Sequence, residues 1–156
     1  MDTPPLIDDP ESLADTLARL ARADWFALDT EFIREETYWP RLCLVQVATP
    51  DFLACIDPLA LEDLSGLFAL MREPGITKVL HAAAQDLEIF HHLTGEVPAP
   101  IFDTQVAAPL LGHPEQPGFA RLVHAVLGVE LEKGHARTDW SRRPLPGAAL
   151  AYAADD

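Results

Sequence analysis

Apolar residues recur at three- and four-residue steps near the start of the chain, in the segment PESLADTLARLAR at residues 10–22. This spacing predicts an amphipathic helix, because side chains three or four positions apart lie on one helical face. Asp9 or Ser12 is placed to cap its first turn, since a side-chain oxygen there can accept hydrogen bonds from backbone N–H groups that lack helical partners.

Three apolar runs with the composition of strands come next, at residues 25–32, 42–48 and 52–56. The last two are separated only by the turn-like Thr49-Pro50-Asp51. Such a short connection predicts an antiparallel hairpin.

From Leu59 onward the apolar period returns to that of a helix, which we expect to end near Pro74-Gly75. Strands and helices then alternate, with strands predicted at 77–81 and 100–103 and helices at 83–93, 104–111, 118–127 and from about 146. A strand meander followed by this alternation indicates an α/β fold, with a mixed sheet flanked by helices. We expect one domain over residues 1–156, which ends in or just at the last helix.

Composition narrows the class of protein. Of 156 residues, 49% are hydrophobic, enough for one core, and no apolar run approaches the roughly 20 residues that cross a bilayer. The acidic, Pro-rich N-terminus does not resemble a signal peptide. Cys43 and Cys55 lie in predicted strands, where we expect buried, reduced thiols. These features predict a cytoplasmic protein that does not associate with membranes.

The net charge of −14 argues against binding to nucleic acid, because a strongly acidic chain repels phosphate. Clustered carboxylates can, however, hold divalent cations that carry the positive charge themselves. The few basic residues are also unevenly placed: Arg34 and Arg41 flank one acidic motif, and others crowd a late segment, namely Lys133, Arg137, Arg142 and Arg143.

Acidic residues stand in three places where the local pattern predicts core. Asp29 and Glu31 follow the apolar run 25–28, and residues two apart in a strand point to the same face. Two adjacent carboxylates repel each other unless a cation lies between them. The alternative is a solvated strand end that carries two surface acids.

The second place is Asp86, which lies in the first turn of the helix predicted over 83–93. We expect Ala83, Leu87 and Phe90 to line the buried face of that helix, with Asp86 beside it near the end of the preceding strand. A negative charge in this turn is also favourable by itself, because it stabilises the helix dipole.

The third place is the end of the chain, where Tyr152 and Asp156 are four residues apart. In a helix they lie one turn apart on the same face, so the phenol can hold a water beside a metal bound by the carboxylate. The alternative is an ordinary helix end with a buried tyrosine and two acids.

In this order the three motifs resemble the DEDD exonuclease superfamily, and within it the ribonuclease D branch. That pattern is D-x-E on a first strand, an Asp that opens a helix, and Y-x-x-x-D on a late helix, matched here by Asp29, Glu31, Asp86, Tyr152 and Asp156. The flanking segments LDTEF, HAAAQDLEIF, IFDTQVAAPLLG and RTDWSRRPL are similar to the family as well. The tyrosine before the final Asp indicates the DEDDy subgroup.

The resemblance implies a ribonuclease H-like mixed sheet and a 3′→5′ exoribonuclease that releases nucleoside 5′-monophosphates. It also implies that the four carboxylates hold two Mg²⁺ or Mn²⁺ ions about 4 Å apart, and that Tyr152 orients the attacking water. The expected partner is the 3′ end of RNA such as tRNA precursors. The oligomeric state stays open, with a monomer as the default. The family's last helix normally continues beyond the position of Asp156, where this chain ends.

Substrate contacts are expected from residues beside these motifs. Phe32 is placed to wedge against the terminal base, or else belongs to the core. His81 and Gln85 are placed to touch ribose or phosphate, and Asp103 to cap a helix near the site. Arginines of the late loop are candidates to receive the RNA backbone, unless they are ordinary solvated charges: Arg137, Arg142 and Arg143. His91 and His92 are interpreted as helix C-terminal charges and not as a metal site.

Three other functions stay open. Proofreading DNA exonucleases share the same carboxylates, although the flanking segments favour RNA. A non-catalytic RNA-binding module on this fold would be marked by loss of a ligand, and all four predicted ligands are present. A small acidic protein that only binds divalent cations is the third alternative.

Overall fold

A computed structural model describes residues 4–35, 37–131 and 138–155. Its strands are β1 (Leu6–Ile7), β2 (Trp25–Ile33), β3 (Arg41–Thr49), β4 (Phe52–Ile56), β5 (Thr77–Leu80) and β6 (Ile101–Asp103). Its helices are α1 (Pro10–Leu20), α2 (Ser65–Met71), α3 (Ala84–Thr94), α4 (Thr104–Ala107), α5 (Phe119–Leu127) and α6 (Gly147–Asp155), and a 3₁₀ turn follows α4 at Ala108–Leu111.

The strands form one mixed sheet in the order β1-β4-β3-β2-β5-β6. β2, β3 and β4 are antiparallel neighbours, as predicted for the hairpin. β5 pairs parallel with β2, and β6 pairs parallel with β5. The meander followed by helix-connected parallel strands confirms the predicted fold class and places the ends of β2, β5 and β6 at the same edge of the sheet.

Most element boundaries agree with the prediction, but two features differ. The helix expected soon after Leu59 begins only at Ser65, because local bonds hold a turn before it. Asp57 accepts a hydrogen bond from the Leu59 N–H at 2.9 Å, and Asp63 accepts one from the Ser65 N–H at 2.8 Å. Strand β1 was not predicted, since it has two residues and is stabilised by pairing with β4.

Helices cover both faces of the sheet, and each face has its own core. On one face, residues such as Phe26, Leu28 and Phe90 pack with α1, α2 and α3. On the other face, α6 and the segment before it cover a second core, formed by Cys43, Leu44, Cys55, Trp140, Leu145, Ala149, Leu150 and Ala153.

The two cysteines are buried and unpaired, as predicted. Burial raises the pKa of the Cys55 thiol to about 12 and also raises the pKa of the Cys43 thiol, so both remain protonated at neutral pH. None of the helices in the described parts of the chain is both long enough and apolar enough to cross a membrane.

Arg143 joins the segment before α6 to the sheet. Its guanidinium binds both oxygens of Asp57, from Nε at 2.5 Å and from Nη2 at 2.6 Å, and Nη2 also donates to the Cys43 carbonyl at 2.8 Å. Nη1 donates to the Trp140 carbonyl at 2.9 Å. The bonds of Arg143 within the fold therefore establish a structural role for it, and the RNA contact considered from the sequence remains a prediction.

We expect Arg143→Gln to lower the free energy of unfolding by about 3–5 kcal/mol at pH 7, because it leaves the Asp57 carboxylate buried without its counter-charge. Asp57 is only 2% exposed. Urea denaturation measures the loss, and Arg142→Gln at the exposed neighbouring arginine is the control.

The difference in the free energy of unfolding between the parent and Arg143→Gln should become smaller at acidic pH. Burial alone would raise the pKa of Asp57, but the hydrogen bonds from Arg143 and from the Leu59 backbone outweigh it and hold that pKa below its usual value. A lowered pKa stabilises the fold above the pKa of the unfolded chain, about 3.9, and this contribution is lost as the pH falls through the folded value. If the two proteins differed as much at pH 3 as at pH 7, the ion pair would not be the cause.

Candidate active site

Asp29 and Glu31 lie on the face of β2 that is opposite to the larger core. Side chains alternate along this strand, with Phe26, Leu28 and Thr30 buried and the two acids half-buried. The two carboxylates therefore share one face, as the spacing predicts. A shift in the β2–β3 register follows directly, between Glu31 and Phe32.

Asp86 meets the same segment of β2 from helix α3. It is 6% exposed, and its Oδ1 accepts a hydrogen bond of 2.5 Å from the hydroxyl of Thr30, the residue between the two acids. Burial raises the pKa of Asp86, and the hydrogen bond from Thr30 opposes that rise only in part. Asp86 thus contacts the strand of the first motif across 56 positions of sequence, through a residue whose side chain points to the face opposite to Asp29 and Glu31.

Asp103 holds the backbone where two helices begin. Its carboxylate accepts hydrogen bonds from the N–H groups of Ala82 and Ala83, which lead into α3, at 3.1 and 3.0 Å. It also accepts one from the Gln105 N–H of α4 at 2.8 Å. Asp103 is therefore a helix-capping acid, as expected, and it orients the turn that carries Asp86.

His81 is held at both ring nitrogens at the end of β5. Nδ1 lies 2.8 Å from the Thr104 hydroxyl, and Nε2 lies 2.9 Å from the Pro117 carbonyl. Thr104 in turn donates to the Leu80 carbonyl at 3.1 Å. These bonds hold α4 and the loop before α5 against the sheet, so a structural role is established for His81, and its predicted substrate contact remains a prediction.

The other residues that were predicted to contact substrate differ in their solvent exposure. Gln85 is exposed in the first turn of α3, where a ligand can reach it. Phe32 is half-buried and packs against the larger core, which agrees with the alternative that it is a core residue. Arg137 lies outside the described residues. The contacts expected of these three residues with RNA remain predictions.

Tyr152 is half-buried on α6 and packs against the second core. Its ring centroid lies 6.4 Å from that of Trp140. Asp156, four residues later in the sequence, lies outside the described residues, so its predicted role as a ligand is a matter of proposal. Tyr152 lies on a helix that covers the Asp29 face of the sheet, and its role in orienting a water remains a prediction.

An open cavity of about 390 Å³ lies on this face, within the range of small-ligand sites, about 300–1,000 Å³. Asp29, His81 and Phe119 contribute to its wall, together with the end of α6 at residues 153–155. The cavity thus connects the first motif with the helix that carries the last one.

Gln46 is a candidate that the sequence analysis missed. It lies directly opposite Asp29 across the β2–β3 pair and is 4% exposed. Its amide nitrogen and oxygen have no hydrogen-bond partner in the described part of the chain, an arrangement that costs free energy unless a ligand or water satisfies it. The feature of the sequence that could have identified Gln46 is that it is a single polar residue within the apolar run LCLVQVA.

The chemistry of the donors fits a hard divalent cation. Asp29, Glu31 and Asp86 offer only carboxylate oxygens, which suit Mg²⁺ or Mn²⁺ better than zinc. The buried carboxylate of Asp86 would be stabilised by a nearby positive charge. Over residues 4–35, 37–131 and 138–155, no three histidine, cysteine or acidic side chains already form a metal-binding group. The fit therefore rests on the type of the donor atoms.

Known proteins are similar to this chain over nearly its whole length. Residues 4–156 match a family model described as 3′-5′ exonuclease. The whole chain is 52% identical to ribonuclease D of Sphingobium indicum and covers 41% of that protein. It therefore spans about two fifths of the length of such a curated relative.

Solved structures show the same fold. The crystal structure of Escherichia coli RNase D, described as an exoribonuclease involved in structured RNA processing, matches with a TM-score of 0.93 and 44% identity, over 98% of this chain and 41% of that one. The catalytic core of RRP6 from Trypanosoma brucei matches with a TM-score of 0.85 and 30% identity, over 97% of this chain and 42% of that one.

Proposed function

This chain belongs to the 3′-5′ exonuclease family, and from that premise we propose that it is the catalytic part of a ribonuclease D-type 3′→5′ exoribonuclease. The observation that carries the proposal is the contact of Asp86 with Thr30, between Asp29 and Glu31. It supports the proposal because it links the helix of the second motif to the strand of the first. The product would be a nucleoside 5′-monophosphate.

In this proposal each motif has a separate task. Asp29, Glu31, Asp86 and Asp156 would hold a pair of Mg²⁺ or Mn²⁺ ions, which stabilise the attacking and leaving oxygens in hydrolyses of this kind. Thr30 keeps the Asp86 carboxylate directed toward β2 through its hydrogen bond. The hydroxyl of Tyr152 would orient the attacking water.

RNA is proposed as the substrate because the chain is similar over nearly its full length to ribonuclease D proteins. Trimming of structured RNA such as tRNA precursors is proposed from the same similarity, and a monomer is the default acting species. We place the activity in the cytoplasm, where reduced and buried cysteines such as Cys43 and Cys55 are usual.

The test is digestion of 5′-labelled and 3′-labelled RNA and DNA of the same sequence with Mg²⁺ or Mn²⁺. We expect a ladder of products one nucleotide shorter at each step from 5′-labelled RNA, and labelled mononucleotide from the 3′-labelled strand. EDTA should stop both. Equal cleavage of DNA would favour the DNA exonuclease alternative, and binding of RNA without cleavage would favour the non-catalytic module.

A further inference from the structure

Three aromatic side chains form a stacked and exposed cluster beside the proposed active site. The Trp39 ring stacks on His92, at a centroid distance of 4.4 Å and an angle of 11°. Tyr38 meets Trp39 edge-on at 5.0 Å. Tyr38 is 80% exposed and Trp39 is 43% exposed. We call these three residues the aromatic platform.

The loop that carries Tyr38 and Trp39 is held in place without help from a ligand. Arg34 pairs with Glu88 of α3 at 2.8 Å, and its guanidinium also donates to the Tyr38 carbonyl at 3.4 Å. The Thr37 hydroxyl donates to the Trp39 carbonyl at 2.8 Å. The platform is therefore preorganised, so little conformational entropy remains to be lost when a planar ligand binds.

An open groove of about 510 Å³ borders the platform. Trp39, Arg41 and His92 lie along it, and its wall includes apolar residues such as Leu42 and Phe68. The groove is large enough for a nucleobase, and Arg41 is exposed at its rim, in a chain whose net charge is −14. An aromatic surface beside an arginine is the combination that binds single-stranded nucleic acid without reading its sequence.

Two elements connect the platform to the proposed active site. Helix α3 carries Asp86 in its first turn and His92 near its end, six residues or about 9 Å along the axis. In the sheet, Leu42 of the groove pairs with Phe32, the residue that follows Glu31. An RNA strand whose 3′ end lies at the carboxylates can therefore reach the platform within a few nucleotides.

We propose that the aromatic platform of Tyr38, Trp39 and His92 is a base-stacking subsite for the single-stranded RNA upstream of the 3′ end. The proposal rests on the exoribonuclease function proposed above and adds a residue-level site to it. Packing alone does not account for the cluster, because Tyr38 gains almost no burial from its position. Stacking is also independent of base identity, which suits an enzyme that moves stepwise along a strand.

The test combines affinity with cleavage. Binding of a 5′-fluorescein 12-mer RNA is measured by anisotropy in Ca²⁺, and cleavage in Mn²⁺ is measured on the same RNA and on a dinucleotide. For Trp39→Ala we expect Kd and KM on the 12-mer to rise about tenfold, with kcat unchanged and dinucleotide cleavage within twofold of the parent. Trp39→Phe should recover most of the loss, and Tyr38→Ala should show a smaller loss.

Abasic nucleotides identify the stacked position. One abasic residue is introduced at successive positions upstream of the 3′ end. At a single position the parent should lose about tenfold in affinity, whereas Trp39→Ala should lose nothing further. Trp25→Ala is the matched control, since Trp25 is also 43% exposed but lies at the other end of β2 from Glu31.

The outcomes separate this inference from the proposed function. If the parent cleaves RNA and both Trp39→Ala and Tyr38→Ala match it on the 12-mer, the subsite is wrong and the exoribonuclease function stands. Equal losses on the 12-mer and the dinucleotide would also overturn the subsite. If the parent binds the 12-mer through Trp39 but cleaves nothing, the subsite stands and the exonuclease proposal fails. A platform that serves a protein partner would leave all RNA affinities unchanged, which overturns the inference.

Discussion

Asp86→Asn is expected to lower kcat for RNA cleavage by at least about 10³-fold, since fixed charge at a phosphoryl-transfer site is among the largest contributions to catalysis. The substitution keeps the size of the side chain and the oxygen that accepts the Thr30 hydrogen bond. It removes the negative charge that the proposed metal site needs. Single-turnover cleavage of a short RNA measures the effect.

Binding of Mn²⁺ should weaken together with activity. A cation that binds only the folded state raises the melting temperature by mass action, so millimolar Mn²⁺ should stabilise the parent and stabilise Asp86→Asn much less. Without metal, Asp86→Asn should melt no lower than the parent, because burial already disfavours the charged carboxylate. Asp51→Asn, at the exposed β3–β4 turn, controls for the change of net charge. If Mn²⁺ moved neither melting curve, the cluster would not be a metal site.

Tyr152→Phe is expected to lower the rate of the chemical step by about 10²–10⁴-fold, the usual cost of losing a group that positions or deprotonates a nucleophile. Only the hydroxyl oxygen is removed, so packing of the ring against the second core should persist. Mn²⁺ affinity, measured by titration, should stay close to that of the parent. The expected signature is a slow enzyme that still binds its metal.

Two results would change the role of Tyr152. Cleavage within two- or threefold of the parent would make the tyrosine structural. A loss of Mn²⁺ affinity as large as that of Asp86→Asn would mean that the phenol supports the carboxylate ligands instead of the water. Either result would leave the assignment of Asp29, Glu31 and Asp86 unaffected.

The amino-acid sequence alone predicted the fold class and the motif of the proposed site. Strand alternation places Asp29 and Glu31 on one face, because side chains two apart in a strand point the same way. Helical periodicity places Asp86 in the first turn of α3, and the structure agrees. These are local properties, decided by neighbours within one element, and so a single sequence is enough to predict them.

Only the tertiary structure decided which side chains meet across the fold. Asp86 meets Thr30 from 56 positions away, and Arg143 meets Asp57 from 86 positions away. The arginine could not be distinguished in the sequence from a solvated charge, because its role depends on a buried partner that directly follows the distant strand β4. The buried Gln46 amide without a hydrogen-bond partner among the described residues and the stacking of Trp39 on His92 also became visible only in the tertiary structure. Such contacts depend on how separate elements pack, and periodicity within one element carries no information about that.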